Sequence, residues 1–204
     1  MIKNFVFVIG NVILSESPKD VLDTVDIDYK SKKLLEEVYF NNSRWVDLDL
    51  GILNTSEYFD IVKKDIPDNL ISNYKDILLN SHKYRKYNKN ILNLIKRLKE
   101  SYNIYILSDI NVDHYNYLKE SELANYVNGW VVSCDYGELK QNEKIFQILF
   151  DKYKLNPGEC FFIDDRIVNV EIARKLGMKA FKLDWINNSY QDLLNELDRY
   201  NIKI

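Results

Sequence analysis

The chain has 204 residues, 46% of them hydrophobic, with only 3 Pro and 6 Gly; this suits one large domain or a core with a smaller insert and excludes long linkers. The formal net charge is -3 and acidic residues are interleaved with the lysines, so no basic stripe is available for nucleic acid. The 2 cysteines, Cys134 and Cys160, and the 2 histidines form no paired metal motif, and free thiols without a zinc site are expected.

Phe5 to Leu14 opens the chain as a buried strand ending in a tight turn, because aromatic and β-branched residues suit a strand covered on both faces and Gly10 lets the backbone bend. No signal-peptide pattern is visible ahead of it and no apolar run is long enough to span a bilayer, so a cytoplasmic protein is expected, with no membrane and no nucleic-acid partner. The polar break Ser15-Glu16-Ser17-Pro18 begins a helical region. Lys32 to Phe40 carries Leu34, Leu35, Val38 and Tyr39 at helical spacing. Thr55 or Ser56 is the expected N-cap of a helix with Tyr58, Phe59, Ile61 and Val62, which Pro67 stops. Asp68 is the expected cap of the next helix, with Leu70, Ile71, Tyr74, Ile77 and Leu78 inward. No strand pattern occurs between about Asp20 and Lys86.

Asn90 to Glu100 reads as an amphipathic helix, and from there strands and helices alternate. The expected strands are Ile104 to Leu107, Trp130 to Val132, Cys160 to Ile163 and Lys179 to Leu183, with Cys134 at a strand edge. The expected helices run through Tyr117 and Leu118, over Asn142 to Tyr153, over Val168 to Leu176 with Gly177 as C-cap, and over Tyr190 to Leu197. This alternation predicts an α/β fold with a parallel sheet in which Phe5 to Val8, Ile104 to Leu107 and Cys160 to Ile163 are adjacent. Polar residues collect at three strand ends: Gly10-Asn11, Ser108-Asp109 and Asp164-Asp165. Ligands bind at such ends in open parallel sheets. Taken singly, Ser108 could be a helix cap, Lys140 a surface lysine, and Asp164-Asp165 caps of the helix that follows them.

Phe7-Val8-Ile9-Gly10-Asn11-Val12 resembles the opening motif of the haloacid dehalogenase-like (HAD) superfamily, in the phosphatase-like branch that reads Phe-Asp-Ile-Gly-Asn-Val. Ser108, the stretch Gly137-Glu138-Leu139-Lys140-Gln141 and Phe161-Phe162-Ile163-Asp164-Asp165 are similar to its later motifs. Trp45 to Gly51 and Thr55 to Phe59 resemble its cap. The resemblance implies a Rossmannoid core of residues 1–14 and 87–204 with a small α-helical cap, 15–86, inserted after the first strand. It implies that Ser108, Asp109, Lys140 and Asn11 hold a phosphoryl group. It also implies that Asp165, Asp164 and the Gly10 carbonyl serve Mg²⁺, with Asp164 orienting Lys140 or a metal-bound water. The ligand would be a small phosphorylated molecule; the resemblance names no protein partner.

The family's nucleophilic aspartate falls at Val8, and valine can neither attack phosphorus nor coordinate a metal. Gly10 stands where many relatives carry an acid/base aspartate. Enzymes lower the barrier to phosphate-monoester hydrolysis by about 20 kcal/mol or more, and positioning alone does not replace a missing bond-forming atom. Three readings follow: a non-catalytic relative that binds a phosphorylated ligand or serves as a protein-interaction scaffold; a phosphatase with another nucleophile, Asp109 or Asp164; or a parent sequence with Asp at position 8. Weak Mg²⁺ binding is expected in the first.

Overall fold

Apolar runs build a five-stranded, all-parallel sheet in the order β3-β2-β1-β4-β5. The computed structural model describes residues 1–40, 42–185, 187 and 189–204, apart from the side chains of residues 39 and 40; Tyr39, expected on an inner helix face, therefore lies outside the described side chains.

The chain begins with β1 (Asn4–Phe7), then runs through α1 (Pro18–Leu22), α2 (Tyr29–Phe40), α3 (Trp45–Asp49), α4 (Thr55–Val62) and α5 (Ile71–Tyr84). It continues with α6 (Lys89–Leu98), β2 (Asn103–Ser108), α7 (Val112–Lys119), β3 (Gly129–Val132), α8 (Ser133–Tyr136) and α9 (Glu143–Tyr153). β4 (Cys160–Asp164), α10 (Ile167–Lys175), β5 (Lys179–Lys182) and α11 (Tyr190–Arg199) complete it.

β1 lies between β2 and β4, with Phe7 opposite both Ile106 and Ile163. The expected central trio is therefore adjacent and parallel. Strands covered on both faces must be apolar throughout, and every residue of β1 and β4 is buried. Phe5 packs on Phe161 at 5.6 Å between ring centroids, and Phe146 meets Phe162 edge-on at 5.4 Å. β2 and β3 extend the sheet on one side of β1 while β4 and β5 extend it on the other, which is the arrangement that opens a crevice at the carboxyl ends.

The helices before α6 share a second cluster of buried side chains, including Val21, Leu35, Tyr58, Val62, Tyr74 and Ile77, separate from the cluster around the sheet. No strand occurs there among the described residues. Two chain segments connect the clusters. Ser15 N donates to Lys86 O at 2.9 Å, Asn88 N donates to Ile13 O at 2.8 Å, and Leu14 bridges Tyr87.

Several local expectations need correction. Asn54, not Thr55 or Ser56, caps α4: its Oδ1 accepts from Glu57 N and Glu57 Oε2 accepts from Asn54 N, each at 2.9 Å, a reciprocal box that satisfies two end donors. Asp68 starts a short 3₁₀ turn, and α5 then begins at Ile71 after Leu70 without a side-chain cap. Leu34 is exposed while Leu35 is buried. Cys134 lies in α8, beyond its strand. Leu176 is the C-cap of α10, and Gly177 follows it at φ +94°.

α3 packs on α8 and α5 on α7, closing the helical segment over the sheet ends. Gly51 makes the first contact possible. Its φ is +68°, and a Cβ there would lie 2.5 Å from the Cys134 carbonyl oxygen. Gly51→Ala should therefore destabilise the chain by about 2 kcal/mol or more, combining left-handed strain with overpacking against backbone. Urea unfolding measures this; an unchanged midpoint would mean that α3 and α8 can separate freely.

Candidate active site

The loops after β1, β2 and β4 and the turn before α9 meet in a cleft of about 200 Å³. Val8, Gly10 and Asn11 reach it from β1, Ser108 and Asp109 from β2, Lys140 from the turn, and Asp165 and Arg166 from β4. Every residue singled out from the sequence lies in or beside this cleft, Asp164 being wholly buried behind it.

Lys140 is 4% exposed, so it is not a surface lysine; its Nζ donates to Asp164 Oδ2 at 3.0 Å. Asp164 is 0% exposed and fully committed. Oδ2 also accepts from Asn169 Nδ2 at 2.9 Å, and Oδ1 accepts from the Arg166 N–H at 2.7 Å. Asp109 Oδ1 accepts from Lys140 N at 2.9 Å, which fixes the lysine loop against β2. Burial nevertheless pushes the Asp109 carboxyl up, with the Lys140 charge opposing it. Ser108 Oγ accepts from Ile9 N at 3.3 Å, tying β2 to the turn after β1. It does not cap α7; Asn111 does, accepting from His114 N. Gln141, with its amide oxygen toward Arg166, accepts from Nη2 at 3.1 Å and Nη1 at 3.2 Å.

Asn11 has a left-handed φ of +51°, a conformation asparagine tolerates better than most residues. Its Nδ2 donates to Asp165 Oδ2 at 3.1 Å and its Oδ1 accepts from Glu16 N at 3.1 Å. Burial pushes the Asp165 carboxyl up; the Asn11 hydrogen bond opposes this. Val8 is buried, and its N–H donates to Ile163 O at 3.2 Å. Its side chain brings no oxygen to the cleft. Of the three carboxylates in the cleft wall, Asp109 is engaged with the Lys140 N–H and Glu16 with Arg85; Asp165 with the Gly10 carbonyl is a donor set that fits Mg²⁺ in reduced form, since that ion commonly takes one or two carboxylates and completes its shell with waters and phosphate. Among the described residues no three His, Cys, Asp or Glu side chains converge as a metal cluster.

A family model described as haloacid dehalogenase-like hydrolase matches residues 11–177. The chain belongs to this family. The matched segment starts three residues after Val8 and contains Ser108, Lys140 and Asp165. The chain is 24% identical over 203 residues to a D-ribitol-5-phosphate phosphatase of Bacteroides thetaiotaomicron, covering 91% of this chain and 95% of that one. A HAD family enzyme of the same organism, solved with magnesium and inorganic phosphate, superposes with a TM-score of 0.70 at 20% identity, over 90% of this chain and 95% of that one. A HAD-like hydrolase of Porphyromonas gingivalis gives 0.71 at 21% identity, over 97% and 98%. These likenesses show the HAD fold.

The cleft wall also carries a side chain that the motifs do not foretell. Glu16, read from the sequence only as part of a polar break, folds back onto the strand end. A Cβ built on Gly10 would meet Glu16 Oε1 at 2.7 Å. Glu16 Oε1 pairs with Arg85 Nη1 at 2.8 Å, and Arg85 also donates to Ser15 O at 3.1 Å. Beyond this pair a second cavity opens between the helical segment and the sheet, with Asp49, Asp109 and His114 in its wall. Burial, then Glu16 and Asp109, push the Asp49 carboxyl up to about 8. Burial drives His114 well below its ordinary range. None of these three was read from the sequence, because Asp49, Arg85 and His114 come from three separate helices or their ends and share no local pattern.

Two tests follow from the electrostatics. Lys140→Met should cost roughly 3–5 kcal/mol in urea unfolding by leaving Asp164 buried without its cation, and adding Asp164→Asn should recover most of the loss. An additive double variant would mean the pair is not coupled. The Asp49 carboxyl is raised from 3.8 to about 8, so the folded state holds a proton that the unfolded state has released between those values. Its contribution is present below about pH 4 and is lost as pH rises to about 8. Asp49→Asn should therefore gain stability relative to the parent across that window; a constant difference would show that Asp49 is ionised throughout.

Proposed function

We propose that this HAD-family chain binds a small phosphomonoester without hydrolysing it, using a phosphatase site that lacks its nucleophile. The observation that carries the reading is Val8: at the strand end where Ser108, Lys140 and Asp165 converge, the side chain has no atom that can form a bond to phosphorus. The two other nucleophiles considered are engaged. Asp109 holds the Lys140 backbone and Asp164 holds the Lys140 ammonium, so either would have to break the loop that positions the charge.

In this reading Lys140 and the Ser108 hydroxyl bind phosphoryl oxygens, and the Asn11 and Asp109 side chains hold the turns that frame them. Asp164 positions Lys140. Asp165 and the Gly10 carbonyl would hold Mg²⁺ weakly, and when bound the ion would neutralise phosphoryl charge. Residues 15–86 act as a cap over a core of 1–14 and 87–204, supported by the two separate hydrophobic clusters. The partner is a small molecule; the net charge of -3 gives no electrostatic attraction for nucleic acid. No helix among the described residues is long and apolar enough to cross a membrane. Free Cys134 and Cys160 suit a reducing cytoplasm.

Turnover of p-nitrophenyl phosphate with and without Mg²⁺ tests the reading. The chain should match a buffer blank, and Val8→Asp should gain metal-dependent turnover. That gain stays small if the frame has drifted, since about 1 Å of misplacement costs on the order of a hundredfold. Clear turnover with Val8 in place, abolished by Asp165→Asn, would overturn the non-catalytic assignment.

A further inference from the structure

Arg166 lines the cleft, and it is held there at both ends. Its backbone N–H donates to Asp164 Oδ1 at 2.7 Å. Its guanidinium donates from Nη2 and Nη1 to the Gln141 amide oxygen at 3.1 and 3.2 Å. Gln141 directly follows Lys140, so the turn that sets the ammonium against Asp164 also sets the guanidinium.

We propose that Arg166 is a further phosphoryl-binding residue of this cleft, positioned by Gln141 through a neutral amide. The inference rests on the phosphoryl-site reading above and adds a second cationic arm to that site, where Val8 has weakened the metal's share of the charge.

The charges around the cleft single out this side chain. Lys140 pairs with Asp164 at 3.0 Å, and Arg85 pairs with Glu16 of the cleft wall at 2.8 Å. Arg166 forms no ion pair among the described residues, and an amide oxygen accepts its N–H groups without cancelling its charge. A carboxylate in the place of Gln141 would cancel it. Guanidinium carries five N–H donors in a fixed fork, so three remain after the two given to Gln141. Arg166 is exposed, and those donors can exchange water for the oxygens of an anion. The fork matches a phosphoryl group, whose oxygens accept in parallel, better than a point charge does. Two wall carboxylates oppose an incoming anion. Asp165 is the one Mg²⁺ would occupy, and burial pushes the Asp109 carboxyl up, toward its neutral form.

Calorimetry with inorganic phosphate in the presence of Mg²⁺ tests this on the chain and on variants of these two exposed residues, each checked by its melting curve. Arg166→Gln should weaken phosphate binding by about tenfold or more, through loss of charge-assisted hydrogen bonds. Gln141→Glu keeps the arginine but gives it a carboxylate partner, and should weaken binding by a similar factor. Gln141→Ala should weaken binding about threefold in the parent and not at all when added to Arg166→Gln, whereas a residue that only supports the loop would lower affinity in both backgrounds. Phosphate affinity unchanged in Arg166→Gln or in Gln141→Glu would overturn this inference and leave the phosphoryl-site reading standing. A loss in Gln141→Ala that persists beside Arg166→Gln would overturn the positioning role of Gln141. Failure of the parent chain to bind phosphate would overturn the phosphoryl-site reading and this inference with it.

Discussion

The site depends on one buried ion pair. Lys140 and Asp164, 4% and 0% exposed, meet at 3.0 Å where the sheet ends. Neither charge is tolerable there alone, because an unpaired ion in that setting costs several kcal/mol. The carboxylate is further satisfied by Asn169 and the Arg166 N–H, so β4, the start of α10 and the turn before α9 are locked to one another. Asp109 then ties the same lysine's backbone to β2. Ser108 ties β2 to the turn after β1. The cleft is thus a closed circuit of polar contacts, and its geometry follows from satisfying them rather than from any bound group.

That circuit also shows what Val8 changes. A carboxylate at position 8 would stand beside Asp165, which burial already disfavours as an anion. With valine, the strand end keeps one cation paired to Asp164 and one carboxylate steadied by the Asn11 amide. Lys140 and Asp164 are held by Asn169, the Arg166 N–H and Asp109, none of which involves the Val8 side chain, so the frame does not depend on what stands at position 8.

Much of this was legible in the sequence because the relevant signals are local. Apolar runs define buried strands, and polar pairs immediately after them fall at the same edge of a parallel sheet. Helix ends were less legible. Asn54 caps α4 through a box with Glu57, a spacing present in the sequence but masked by Thr55 and Ser56, which are themselves good caps. Asp68 failed as a cap because the chain takes a 3₁₀ turn before α5, a choice set by packing of Leu70 and not by the aspartate. Glu16, Asp49, Arg85 and His114 could not be grouped at all. Their proximity arises from the way the helical segment folds back over the strand ends, and no periodicity within one segment encodes it.

The Glu16–Arg85 pair connects these levels. Glu16 follows the segment that leaves the sheet and Arg85 precedes the segment that returns to it, two stretches held together by the Ser15–Lys86 and Ile13–Asn88 backbone bonds. Any movement of the helical segment relative to the sheet must turn at this crossing, because it is where the chain passes between the two hydrophobic clusters. The pair also lines the cavity, and Glu16 lines the cleft. Gly10 is what permits this: with no side chain on the strand end, the Glu16 carboxylate occupies the space a Cβ would fill. Glu16 thus belongs at once to the wall of the cleft and to the crossing between the two hydrophobic clusters, so the shape of the cleft mouth and the seat of the helical segment share one ion pair.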